Sequence, residues 1–329
     1  MAVLVTGGAG FIGSHIVNDL IGAGERVIVL DDLSGGFREN VNERATFVQG
    51  SVTDVGLVNN IFKEHSIEHV FHLAAYAAEG LSHFIKKFNY ENNLIGSINL
   101  INASVNHGTT CFIFTSSIAV YGPGQLPMHE DMSPTPEDSY GIAKLAVEQE
   151  LKATHNMFGL DYIIFRPHNV YGEHQNIGDK YRNVVGIFMN QIMQGKPLTV
   201  FGDGSQTRAF SYIRDVSPVI AESIRAPEAR NQIFNIGADD VCTVNDLAQA
   251  VCREFGVTQQ IQYLPARKEV THAYSDHTKV RRIFGGRTSH SLGEGIHAMA
   301  NWAKRVGSRQ SQKFSNIEIA RNLPPSWME

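Results

Sequence analysis

Thr6-Gly7-Gly8-Ala9-Gly10-Phe11-Ile12-Gly13 is the stretch on which the reading of this chain turns. The apolar run Ala2–Thr6 leads into it and reads as a buried strand, and residues 12–23 leave it with helical spacing. Gly7, Gly10 and Gly13 are spaced three apart. A tight turn needs glycine for its dihedrals, a diphosphate approaching the backbone needs a residue without Cβ, and helix–strand contact needs a third. The helix start then offers N–H groups and a positive dipole to a pyrophosphate. Asp31, followed by Asp32, closes the next strand 18 residues after Gly13. An acid there accepts hydrogen bonds from adenosine ribose hydroxyls and repels a 2′-phosphate, so the pattern predicts NAD rather than NADP.

Outward from this turn, short β-branched runs alternate with helical patterns. Strands are expected over 26–31, 45–49, 68–73, 111–115 and 161–166, and helices over 53–65, 90–107 and 139–158. Strands separated by helices predict βαβ units, hence an α/β fold with a doubly wound parallel sheet of Rossmann type. After Tyr171 the rhythm loosens. A helix is expected over 183–195, short strands near 199–201 and 211–213, and a late strand over 231–236 returning to the main sheet. The organisation expected is a dinucleotide-binding domain over 1–172 with a return segment at 214–237. A smaller, mixed α/β substrate domain would take 173–213 and 238–329. The polar tail 310–329 is expected to lie over the surface or fray.

Composition narrows the function classes. A chain of 329 residues with 43% hydrophobic and 19% charged residues can bury a sizeable core. With 28 Lys+Arg against 33 Asp+Glu the net charge is −5, which argues against nucleic-acid or anionic-membrane binding. No apolar run reaches the ~18 residues of a spanning helix, and the glycine turn follows Met1-Ala2 too closely for a signal peptide. Cys111, Cys242 and Cys252 have neither disulfide-framework nor metal-knuckle spacing, so they read as buried, reduced thiols of a cytoplasmic protein without a metal. His65-Ser66-Ile67-Glu68-His69 has the order of an inverted zinc-peptidase motif, but it straddles a helix end and a strand and reads as solvated surface.

A second constellation carries chemistry. Tyr140 and Lys144 stand at i and i+4, one face of a helix. A phenol is a poor base at neutral pH, and a nearby ammonium favours its phenolate. Thr115-Ser116-Ser117 ends the fifth strand, where a serine hydroxyl can meet a reacting sugar oxygen.

On these residues the chain resembles the extended short-chain dehydrogenase/reductases, and among them the nucleotide-sugar epimerase branch. The likeness runs through the glycine turn, Asp31-Asp32-Leu33, His72-Leu73-Ala74-Ala75, Tyr90-Glu91-Asn92-Asn93 and Thr115–Gly122. It continues through residues 140–144, 166–172 and 201–208. It implies Ser117, Tyr140 and Lys144 as the catalytic set. It also implies a dinucleotide held by Gly7, Gly10, Phe11, Ile12, Gly13, Asp31, Asp32, Ser51, Val52, Leu73, Ala74, Ala75, Asn92, Ser116 and His168, together with Tyr140 and Lys144. Ser117, Asn169, Arg208 and Arg267 would contact a nucleotide sugar, the arginines gripping its diphosphate as guanidinium forks do. Ser51, Ala77 and Ala209 depart from the family, which carries Asp at the first position, Lys in some members at the second and Asp at the third. The inert Ile118-Ala119 pair stands where sugar dehydratases and decarboxylases carry acids. That absence favours C4 epimerisation through a 4-keto sugar with bound NAD. Another nucleotide-sugar epimerase or a 4-keto-sugar reductase of the same superfamily, and a noncatalytic nucleotide-binding protein, are the alternatives. Equivalent helices in the family pair across a homodimer.

Overall fold

The computed structural model describes every residue except Gln125, 267–269, 287–288, 312–313 and 329, together with the Met328 side chain. Arg267, one of the expected diphosphate ligands, therefore lies outside the described residues.

Seven strands build one parallel sheet. They are β1 (Ala2–Thr6), β2 (Val27–Asp31), β3 (Thr46–Gln49), β4 (Ile67–His72), β5 (Cys111–Thr115), β6 (Asp161–Pro167) and β7 (Gln232–Ile236). Their spatial order is β7-β6-β5-β4-β1-β2-β3. The order reverses between β1 and β4, and the crevice at such a switch point is where doubly wound sheets bind ligands. The expected return strand is β7, which pairs with β6 from Gln232↔Ile163 to Ile236↔Pro167.

The strands are apolar on both faces because helices cover both. Val3, Val5, Val29, Phe71, Ile113 and Phe165 enter one buried cluster, while Leu4, Ile28, Leu30, Val70, Phe112 and Ile164 enter another. The alternation along each strand sends successive side chains to opposite sides. Helix α1 (Phe11–Gly22) packs against α2 (Ile213–Glu222) of the return segment, and Ser217 Oγ donates to Asp19 Oδ2 at 2.7 Å.

Helix α3 (Ser139–Phe158) has the bounds its periodicity predicts, set by an Asp138 cap that accepts from Gly141 N and by Gly159 in the left-handed conformation. The helix expected over 90–107 differs. It begins at Lys86, passes through a π-helical turn at Glu91–Ile95 and runs on as Gly96–Asn106. A π turn inserts a residue into the hydrogen-bond ladder, which hydropathy spacing does not reveal.

The residues after β6 form small pieces. Thr207–Ala209 pairs antiparallel with Val241–Thr243 and parallel with His272–Ala273, and Leu198–Phe201 pairs with Ile261–Leu264. Two surface expectations change. The His69 side chain, on β4, is 12% exposed, so it is a strand residue turned inward rather than a solvated one. Cys242 is only half-buried, unlike Cys111 and Cys252. Most described residues of 310–329 are exposed, so the tail lies over the surface, one of the two outcomes expected of it. Phe314, Ile317, Leu323 and Trp327 pack with Ala78, Leu81 and Ile85 in a cluster of their own.

Candidate active site

The turn between β1 and α1 is shaped by close approach. Gly7 has φ 73°, and a Cβ there would lie 2.7 Å from the Ala74 backbone nitrogen at the end of β4. A Cβ on Gly13 would collide with the Gly7 carbonyl oxygen. Gly10 precedes α1 and supplies no side-chain cap. The Asp31 carboxylate fixes this turn: Oδ2 accepts from Ala9 N at 3.0 Å and Oδ1 from Leu33 N at 2.8 Å. Burial raises the Asp31 pKa, and those two N–H groups oppose the rise. The acid expected to face a ribose thus also braces the glycine loop, a role its position in the sequence did not disclose. Asp32 is exposed and accepts from Ser34 N.

A cavity of about 570 Å³ opens over the carboxyl ends of the strands. It is lined by every described residue expected to hold dinucleotide or substrate: Gly7, Gly10–Gly13, Asp31, Asp32, Ser51, Val52, Leu73–Ala75, Asn92, Ser116, Ser117, Tyr140, Lys144, His168, Asn169 and Arg208. The close-packed glycines, the uncapped start of α1 and the acid ending β2 fit a dinucleotide across the switch point. Beneath the cavity floor, Thr6 Oγ1 lies 2.7 Å from His72 Nδ1, and His72 Nε2 lies 2.7 Å from Ser97 Oγ. Burial pushes His72 down to about 3, so a neutral ring ties β1, β4 and the helix behind them together.

Tyr140 and Lys144 sit on the first turns of α3, and Ser117 sits beyond the end of β5. Burial raises the pKa of the Tyr140 phenol, while the Ser117 side chain favours its ionisation. Lys144 Nζ donates to the Thr115 carbonyl at 2.8 Å and lies 5.7 Å from the Tyr140 ring centre. Burial pushes Lys144 down to about 7, with Glu148 opposing. One helical turn further, the buried Glu148 carboxylate binds Arg166 through Nε at 2.9 Å and Nη2 at 2.5 Å. It also accepts from Ser116 Oγ at 2.5 Å, so the Ser116 hydroxyl expected to face the dinucleotide is turned into this buried pair.

Other expected residues take more constrained places. His168 lines the cavity, but its Nδ1 meets the Ala209 carbonyl at 2.9 Å and its Nε2 meets His277 Nε2 at 2.9 Å. Both ring nitrogens are engaged, so its side chain braces β6 against the C-terminal residues instead of offering a dinucleotide a hydrogen bond. Asn92 Nδ2 donates to Phe88 O at 2.8 Å. Asn169 adopts φ 41°, a left-handed conformation that asparagine tolerates. The Arg208 guanidinium donates to the carbonyls of Val270, Thr271 and Thr207, which orients it at the cavity wall.

Among the wall residues that sequence reasoning missed are Tyr76, Glu79, Tyr181 and Arg182. Arg182 pairs with Asp179 and lies 4.9 Å over the Tyr76 ring. Its charge favours the Tyr140 phenolate, whereas Glu79 and Asp138 oppose it. Arg182 with an acid three residues before it was a visible signal, but nothing local placed it beside Tyr140.

Comparison with known proteins agrees with this geometry. The model of the NAD dependent epimerase/dehydratase family matches residues 3–237. A crystal structure of UDP-glucose 4-epimerase with UDP-glucose from Thermotoga maritima is similar at TM-score 0.89 and 36% identity, covering 93% of this chain and 99% of that one. The UDP-glucose 4-epimerase of Thermus thermophilus in complex with NAD is similar at TM-score 0.86 and 32% identity, covering 92% and 98%. Relatives at nearly the same distance are named for other sugars: the dTDP-L-rhamnose 4-epimerase of Burkholderia thailandensis is 30% identical over 94% of this chain and 96% of its own. The match spans the whole sheet and the turn, serine and Tyr–Lys pair that line its carboxyl edge, and the chain belongs to the NAD dependent epimerase/dehydratase family.

Proposed function

We propose that the protein is an NAD-dependent nucleotide-sugar 4-epimerase acting on a UDP-hexose of the glucose/galactose type. The observation that carries this reading is the meeting of Ser117, Tyr140 and Lys144 in one cavity that the dinucleotide turn also lines. Bound NAD supplies reversible storage for the hydride of the sugar C4. Tyr140, as phenolate, takes the proton of the 4-hydroxyl, and Ser117 steadies the same oxygen. The 4-keto sugar turns within the cavity, and Tyr140 returns the proton when C4 is reduced on its other face. Lys144 stays on the Thr115 carbonyl and keeps a cation close to the phenol. Arg208, with Arg267, grips the diphosphate, so that binding energy from the remote nucleotide keeps the intermediate in place.

Ile118 and Ala119 line the cavity directly after Ser117 and present no acid or base there. This supports simple epimerisation over elimination at C5–C6. In this reading residues 1–172 with 214–237 hold the dinucleotide, and 173–213 with 238–329 hold the nucleotide sugar. Ile95 and Ile142, 51% and 42% exposed, lie on the two helical segments that the family likeness assigns to a homodimer interface. The unpaired cysteines fit a reducing cytoplasm. Among the described residues no helix is long and apolar enough to cross a membrane.

The test is to incubate the purified protein with a panel of nucleotide sugars and read the C4 configuration by NMR. Interconversion of UDP-glucose and UDP-galactose without added NADH is expected. A requirement for stoichiometric NADH would make the protein a 4-keto-sugar reductase instead.

A further inference from the structure

The wall facing Tyr140 is not held by the sheet. Tyr76, Glu79 and Gly80 come from the segment after β4, and Tyr181 and Arg182 from the loop after β6. Behind both runs the C-terminal segment. The Phe314 ring lies 5.3 Å from that of Tyr76 and 5.0 Å from that of Phe88, and its backbone N–H donates to the Tyr181 hydroxyl at 3.1 Å. Trp327 lies edge-on to Phe84 and Tyr181, at 6.1 and 5.5 Å, and under Gly80, where a Cβ would meet it at 3.2 Å.

The Glu318 carboxylate accepts from Lys87 N at 2.8 Å and Phe88 N at 2.9 Å, while its backbone N–H donates to Phe84 O. Lys180 Nζ donates to Ser326 O at 3.3 Å. Further back, Arg309 exchanges hydrogen bonds with Asn190 and stacks at 3.7 Å over Phe37, beside the loop that follows β2. Residues 314–327 therefore touch both segments that carry this wall, 76–88 and 180–181.

We propose that residues 314–327 form an active-site strap: they fix Tyr76 and Arg182 beside Tyr140 and hold the sugar end of the cavity closed while the 4-keto sugar turns. The strap rests on the 4-epimerase reading for its purpose, but its mechanical effect does not. Arg182 is held by Asp179 and by the face of Tyr76, whose ring lies tilted at 5.3 Å from that of Phe314. The groups acting on the phenol are Ser117 and Arg182, which favour its ionisation, and Glu79 and Asp138, which oppose it, with Lys144 one turn along its own helix. Loosening the strap withdraws Arg182 and leaves Asp138, at the cap of the helix that carries Tyr140, opposing ionisation. The strap residues are thus positioning residues.

The experiment compares the full-length, NAD-loaded protein with its Trp327→Ala and Phe314→Leu variants by hydrogen exchange and steady-state kinetics. Exchange in residues 79–90 and 179–183 should be at least about tenfold faster in the variants. The kcat should fall at least about tenfold with KM changed less than about threefold, and the acidic limb of kcat should move to higher pH. Unchanged exchange in those two segments overturns the proposal. So does a lowered melting temperature with kcat and its pH profile unchanged per NAD-loaded molecule. Should Trp327→Ala fail to fold, Phe314→Leu, which keeps apolar volume and removes only the ring, decides. Should the wild type convert no nucleotide sugar, the 4-epimerase reading fails, and exchange alone still decides the strap.

Discussion

Lys144 Nζ lies 5.7 Å from the centre of the Tyr140 ring and gives its hydrogen bond to the Thr115 carbonyl, not to the phenol. The lysine therefore acts on the tyrosine through charge, from a buried position that costs the fold stability. Burial pushes Lys144 down to about 7. A lysine depressed in the folded state binds fewer protons there than when unfolded, so stability rises with pH between about 7 and about 10.5. Lys144→Met should remove that cost. The cofactor-free variant should be more stable than wild type by a few kcal/mol at neutral pH, at ~1.4 kcal/mol per pKa unit. The gap should close as pH rises through ~10.5, above which the wild-type lysine is neutral in both states. Denaturant titrations at several pH values measure it. A variant less stable than wild type at pH ~7 would contradict the assignment.

Tyr140→Phe keeps the ring and removes the proton carrier. Turnover should drop by roughly 10²–10⁴-fold, while NAD content and nucleotide affinity stay within about twofold. Ser117→Ala should cost less, because the phenol survives. Near-wild-type turnover of Tyr140→Phe would show that another group moves the proton.

The elements around this site were readable because their burial is periodic. The expected strand over 111–115 and the helix over 139–158 have those bounds in the structure, one as a run buried at every position and the other with a visible Asp138 cap and Gly159 stop. What stayed hidden was long-range. Arg182 sits in a polar loop and meets Tyr76 only through the fold. Glu148 and Arg166 lie on a helix and a strand that each read as complete without the other. The tail's anchors come as two separated pairs, Phe314 with Ile317 and Leu323 with Trp327, each too short to read as an element, so polar composition masked them.

The Glu148–Arg166 pair is buried on both sides, with side-chain exposures of 0% and 2%. Glu148→Gln leaves a guanidinium without its counter-charge. It should cost on the order of 3–5 kcal/mol, more than an exposed pair would. Arg166→Met combined with Glu148→Gln should recover part of the loss. Urea unfolding of the three proteins checks this, and a neutral Glu148→Gln would mean that the pair carries no structural charge balance.

The nucleotide end is tested through the glycine loop and its acid. Gly7→Ala combines a left-handed backbone with a Cβ 2.7 Å from Ala74 N, and should weaken NAD binding or the fold by about 1–3 kcal/mol. Asp31→Ala releases the Ala9 and Leu33 N–H groups and removes the charge that disfavours a 2′-phosphate. NAD should bind at least about tenfold more weakly, and the preference for NAD over NADP should shrink. Calorimetric titration with both dinucleotides reads the two effects.

The central claim is that the hydrogen leaving C4 returns to C4 within the same active site. UDP-glucose deuterated at C4 tests it directly, with the UDP-galactose product read by NMR and mass spectrometry. The account predicts product that keeps its deuterium at C4 with no external NADH. Product carrying solvent hydrogen at C4, or no product at all from the deuterated or the unlabelled sugar, would contradict it.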